Sequence, residues 1–227
     1  CSSDLGTITP TGAIAFNGNS LYFHLRNSGT VPTATWSTTS TCTIGAGFTG
    51  TAPTGLGQAF GNFTMDVAQT LTLGGNLSVG NDLTINSGTV AANTRTINLV
   101  RHLIGAGTLT FTTNPGTLNI GGNNTHTGTF TPGTGRVNYN GAAQQVRSTT
   151  YYNLTISGSN NKTLQGNITV ANQAAFTAGA MVLNGYILNL NGTTSLAAGT
   201  ITGSATSSIS IASSNAAGMT LPNITGG

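Results

Sequence analysis

The sequence predicts an all-β protein, a parallel β-solenoid with rungs of about 20 residues, and three observations carry that prediction. First, the chain repeats itself. Asn62 to Leu99 (NFTMDVAQTLTLGGNLSVGNDLTINSGTVAANTRTINL) aligns without a gap on Asn153 to Leu190 (NLTISGSNNKTLQGNITVANQAAFTAGAMVLNGYILNL), with about a third of positions identical and most others exchanging like for like. Second, apolar–polar–apolar triplets recur on a ruler: Leu77-Ser78-Val79, Ile97-Asn98-Leu99 and Leu118-Asn119-Ile120 start 20 and 21 residues apart (97−77, 118−97). Ile168-Thr169-Val170, Leu188-Asn189-Leu190 and Ile209-Ser210-Ile211 give the same 20 and 21 (188−168, 209−188). Each triplet fits a short strand with two side chains inward and one outward. Third, Gly and Asn punctuate the triplets, as in Gly74-Gly75-Asn76, Ser87-Gly88, Gly121-Gly122-Asn123, Asn184-Gly185 and Asn191-Gly192, and these residues tolerate the positive φ of tight corners.

The competing fold is an antiparallel β-sandwich, since Asn-Gly between apolar runs is also a hairpin signal. Equal spacing in both copies is built into a solenoid and coincidental in a sandwich. Helix has little support; at most, a short helical turn fits between Val170 and Ala180.

Along the chain, residues 1–60 do not follow the ruler. They hold Leu21-Tyr22-Phe23-His24-Leu25, Trp36, both cysteines and Pro10, Pro32 and Pro53, and they read as an irregular N-terminal cap or edge-covering β region. Residues 61–227 read as the solenoid, with the related blocks 62–99 and 153–190. The final Ile224-Thr225-Gly226-Gly227 looks cut in mid-repeat, so the expectation is a piece of something longer or a unit that stacks on another copy.

Composition narrows the function classes. Charged residues make up 4% of the 227, there is no Glu, and the acids are Asp4, Asp66 and Asp82. Lys162 and five arginines are scattered without a basic cluster, which is not a nucleic-acid-binding footprint. No apolar run approaches the roughly 18 residues of a membrane-spanning helix. Cys1 and Cys42 leave three readings open: a disulfide in an oxidising compartment, an acylated Cys1 of the lipoprotein kind, or two free thiols.

The strings YYNLTISGSNNKTLQGNITV (Tyr151 to Val170), MVLNGYILNLNG (Met181 to Gly192), ATWSTTSTCTIGAG (Ala34 to Gly47) and GLGQAFGNFTM (Gly55 to Met65) resemble the Thr/Asn/Gly-rich repeat regions of large secreted Bacteroidota surface proteins. These are adhesins and extracellular filament proteins exported by type IX secretion. The resemblance implies a stiff, self-associating segment at a bacterial cell surface, stacked end-to-end or laterally on further copies or on neighbouring repeats of a longer chain.

Chemistry is sparse. A polysaccharide lyase or hydrolase needs clustered carboxylates, and the best that can be assembled is Asp66 with Asp82 near Arg95 or Arg101. His24, His102 and His126 lack nucleophile motifs or metal-ligand spacing, and His126, flanked by Thr125 and Thr127, reads as an outward strand residue. The expectation is therefore a non-enzymatic protein with no catalytic, metal or cofactor residues. Surface glycans are an alternative partner, recognised through Trp36, Tyr22, Tyr151, Tyr152 or Tyr186 if those rings are exposed. Thr-x-Thr strings raise ice binding as a further alternative, although their irregular spacing argues against one string per rung.

Overall fold

The computed structural model describes residues 2–4, 11–111, 115–212, 220–221 and 223–226, with backbone alone for 2–4. Among these described residues there are 25 strands, β1–β25 in chain order, and every pairing between them is parallel. That excludes the sandwich. The chain winds as a three-sided solenoid, because each apolar triplet fills one face before a corner turns the backbone.

The first face stacks β1 (Ser2–Asp4), β3 (Leu21–His24), β5 (Thr41–Ile44), the start of β7 (Asn62–Thr72), the start of β9 (Leu83–Ala91) and β11 (Leu103–Gly105). Above them lie β16 (Gln144–Val146), β18 (Asn161–Leu164), β20 (Ala180–Val182), β23 (Thr200–Thr202) and β25 (Asn223–Thr225). The second face takes the ends of β7 and β9, β12 (Thr108–Thr110) and β14 (Thr129–Thr131). It resumes with the starts of β17 (Thr150–Ile156) and β19 (Ile168–Phe176), then β21 (Ile187–Leu190) and β24 (Ser208–Ile211).

The third face runs through β6 (Ala59–Phe60), β8 (Leu77–Val79), β10 (Thr96–Leu99), β13 (Thr117–Ile120), β15 (Arg136–Tyr139), the ends of β17 and β19, and β22 (Thr193–Leu196). Beneath it β2 (Ile14–Phe16) pairs with β4 (Ala34–Trp36), and Trp36 packs on Phe60 with ring centroids 5.0 Å apart. The long strands bend across a corner, β7 through register shifts at Asp66 and β17 through one at Tyr151/Asn153.

Inward columns form one continuous core. Leu77, Ile97, Leu118 and Val137 stack on the third face and Leu71, Val90, Leu109 and Phe130 on the second, all buried. At the N-terminal end the rings of Phe16, Tyr22, Trp36, Phe60 and Phe63 interlock, Phe16 stacking on Trp36 at 4.2 Å. The Gln58 amide closes that end: its Oε1 accepts from Trp36 Nε1 and Ala34 N, and its Nε2 donates to Pro32 O and Gly55 O.

Two expectations change here. Over its described residues, the segment expected as an irregular cap (1–60) contributes parallel strands to the same stack, Tyr22 pairing with Cys42 and Cys42 with Phe63. The steps there are the same 20 and 21 residues, Tyr22 to Cys42 to Phe63, but these strands lack the aliphatic triplets that mark the ruler elsewhere. The helical turn considered for 170–180 is strand β19, because Ala174, Ala175 and Phe176 fill the third face.

The two copies also fall on different faces. Leu77, Ile97 and Leu118 pair along the third face, whereas their counterparts Ile168, Leu188 and Ile209 pair along the second. A shift of 91 residues (153−62) is therefore not a whole number of turns, and the three faces accept the same sequence pattern.

Candidate functional site

Polar side chains organise this molecule along one corner and at one level of the stack. The corner spine begins at Asn62, whose Oδ1 accepts from Asp82 N at 3.3 Å. Asp82 Oδ1 then accepts from His102 N at 3.1 Å, His102 Nδ1 from Asn123 N at 2.9 Å, and Asn123 Oδ1 from Gln145 N at 2.9 Å. Each corner side chain thus captures the backbone N–H of the rung above, a donor that the turn leaves outside the strand ladder. On the third face, Asn119 Nδ2 donates to Asn98 Oδ1 at 2.8 Å and Asn138 Nδ2 to Asn119 Oδ1 at 3.1 Å, an amide ladder climbing with the strands.

Above β11 some inward positions of the first face turn polar, beside apolar Val146 and Leu164. Where lower rungs present Leu83 and Leu103, the next ones present Asn124 and His126, then Gln144, then Lys162, all buried. Gln144 Nε2 donates to Ile120 O and Gly122 O, and its Oε1 accepts from Gly141 N at 2.7 Å. The Lys162 ammonium donates to Gly141 O, Ala142 O and Ser159 O at 2.7–2.9 Å, and burial holds its pKa below the ordinary lysine value. These groups plug corner carbonyls from inside.

Arg147 sits beside this cluster. One guanidinium nitrogen donates to His126 O and, at 3.1 Å, to His126 Nδ1, while the other reaches Gly128 O at 2.6 Å. The guanidinium lies 5.8 Å from the Phe130 ring centroid. Burial first, and then Arg147, lowers the His126 pKa, partly offset by the Gly107 carbonyl. Tyr139 and Tyr151 hydroxyls meet at 3.0 Å, and burial raises both their pKa values. His126 is inward and 4% exposed, which corrects its reading as an outward residue. Strict alternation places it opposite Thr125 and Thr127 without saying which side is inside.

The five candidate sugar-stacking aromatics do not form a platform. Tyr22 and Tyr151 are fully buried and Trp36 nearly so, because their rings fill the core, and that removes them as exposed binding residues. Tyr152 is exposed and Tyr186 partly buried against the core. Cys42 carries a free, buried thiol whose pKa burial raises far above the usual range; its proposed partner Cys1 lies outside the described residues.

Asp66 and Asp82 sit on adjacent rungs but not together. Asp82 stands at the level of Asn62, four residues from Asp66 along β7, about 13 Å at strand rise. Asp66 instead accepts from Asn86 Nδ2 at 3.2 Å. Among the described residues, no group of three or more His, Cys, Asp or Glu is placed to hold a metal.

The threonine strings align better than their spacing suggests: Thr70, Thr89, Thr108 and Thr129 share one register column. The neighbouring column runs Thr72, Ala91, Thr110 and Thr131; it is broken by Ala91 and sunk to 9% exposure at Thr110, so a two-threonine-wide face does not continue over successive rungs. Shallow grooves remain, one of about 460 Å³ lined by Asn123, Gln144, Gln145, Asn161, Thr163 and Gln165. Several of those amides are already engaged with the protein's own backbone.

Asn124, Gln144, Arg147 and Lys162 escape a motif search, because no chemical signature joins them. For Asn124, Gln144 and Lys162 the signal is positional: polar residues at inward ruler positions in three successive rungs. No family model, curated protein or solved structure matches the chain.

Proposed function

We propose that this chain is a non-enzymatic length of β-rod from an extracellular adhesin or filament at a bacterial cell surface, acting as a stiff, self-associating spacer. The observation that carries the reading is parallel stacking on all three faces: the eight strands of the third face from β6 to β22 span about 34 Å at strand spacing. Backbone ladders running along the axis resist bending, and a rod needs repetition rather than a reactive cleft.

Association has its own support. The surface is nearly uncharged, so copies repel one another weakly. The bacterial surface assignment rests on the resemblance of the repeat strings to type IX-secreted proteins.

Negative-stain microscopy of the purified chain tests the reading. Rods or fibres that lengthen with concentration are expected. Compact single particles at every concentration overturn self-association, and turnover of an acidic polysaccharide would overturn the non-enzymatic assignment.

A further inference from the structure

The stack contains a level at which two of its three backbone ladders stop. On the first face, β11 bonds upward to the segment around Asn124, with Thr125 N donating to Leu103 O and Thr127 N to Gly105 O. Among the described residues, no strand pairing joins that segment to β16, which begins a separate sheet. On the second face β14 ends its sheet in the same way, and the start of β17 pairs upward with β19 only. The third face runs on unbroken, Thr117–Ile120 pairing with Arg136–Tyr139 and these with Asn153–Ile156.

Side chains bridge the break. The carbonyls of His126 and Gly128, which have no strand above them, receive the Arg147 guanidinium. The Arg147 backbone is held by phenols in place of a ladder: its N–H donates to Tyr139 Oη at 3.2 Å, and its carbonyl accepts from Tyr151 Oη at 2.7 Å. The same level holds three buried polar atoms with no partner at ordinary hydrogen-bond geometry, Asn124 Nδ2, Asn124 Oδ1 and His126 Nε2, where Asn124 has only a weaker interaction with the Tyr139 phenol and His126 one with the Gly107 backbone. Such atoms weaken the folded state locally, because opening the level would hydrate them.

From these observations we infer that the level between 124–131 and 144–151 is a built-in opening seam: two of three faces part there, the third acts as hinge, and Arg147 is the clamp. In a stacked-repeat protein, stability is a sum over rungs and rung interfaces, so the weakest interface divides the stack into cooperative units. The rungs below the seam and those above it are the two units. This inference concerns the stack itself and stands whether or not the rod self-associates.

Hydrogen–deuterium exchange on the full chain tests it. In the unaltered protein, segments 124–131 and 144–151 are expected to be protected at least tenfold less than β9 and β19. Arg147→Met, which keeps the aliphatic stem and removes the bonds, is expected to speed exchange in the two seam segments about tenfold further while β9 and β19 change less than twofold. It is also expected to split urea unfolding into two transitions. Arg136→Met is the control: that side chain bonds outward to Thr155 and Gln173 on the unbroken face and leaves the seam unchanged. Equal protection of the seam and β9 in the unaltered protein overturns the inference, even if Arg147→Met fails to fold. Uniform acceleration along the chain in Arg147→Met, or none, overturns it as well.

Discussion

Replacing Gly105 by alanine should reveal how tightly successive rungs are held. Gly105 has φ +102°, and a Cβ there would stand 2.2 Å from the carbonyl oxygen of Ile85 on the rung below. The left-handed backbone costs an alanine about 1–2 kcal/mol. Relieving the contact moves β11 away from β9 and strains two bonds, Gly107 N to Ile85 O at 2.7 Å and Thr127 N to Gly105 O at 2.8 Å. At about 0.5–1.5 kcal/mol for each, the expected loss is roughly 2–5 kcal/mol. Urea unfolding followed by circular dichroism reads this as a lower midpoint at constant slope. Gly74→Ala is the matched control, because its added Cβ meets nothing within 4 Å, and a change within about 0.5 kcal/mol is expected. A Gly105→Ala loss below about 1 kcal/mol, or equal effects at both positions, would refute the rung spacing used here.

Other outcomes follow from single contacts. The His126 pKa is lowered from 6.5 in the folded state, so as pH falls through that value the unfolded chain takes up the proton first. Stability should be full above about pH 6.5 and decline below it, a decline that His126→Gln reduces when urea midpoints are compared near pH 8 and pH 5. Asn119→Ala removes both of its ladder bonds on a partly exposed face, and about 0.5–1.5 kcal/mol should be lost in the same assay. Cys42 should resist maleimide in the folded protein and react in urea, since burial keeps it protonated and shielded; peptide mapping showing rapid native labelling would contradict that placement.

Fold class was legible because the solenoid repeats one local rule. A triplet such as Ile97-Asn98-Leu99 buries the same two side chains on whichever face it lands, so the 20- and 21-residue steps appear in both copies even though one lies on the third face and the other on the second. The N-terminal rungs were hidden for the converse reason. Their faces are filled by single large rings such as Phe16, Trp36 and Phe60 in place of aliphatic triplets, so the 20- and 21-residue steps from Tyr22 to Cys42 to Phe63 lack that mark. The seam was invisible because Asn124 and His126 obey strand alternation perfectly, and period two does not distinguish the wet side of a strand from the dry one. Only the rung-by-rung register shows that Asn124 continues the core column of Leu83 and Leu103 and that His126 continues the column of Ile85 and Gly105.

The solenoid requires parallel, in-register stacking at one rung per turn, and disulfide trapping measures that directly. With both native cysteines replaced by alanine, Thr70→Cys/Thr89→Cys places two thiols on paired positions of adjacent strands, within disulfide reach. Thr70→Cys/Thr108→Cys places them two rungs apart, about 9.6 Å, beyond that reach. Mild oxidation followed by peptide mapping should give an intramolecular cross-link in the first pair and none in the second. Failure of the first pair to close, or ready closure of the second, would contradict the solenoid register.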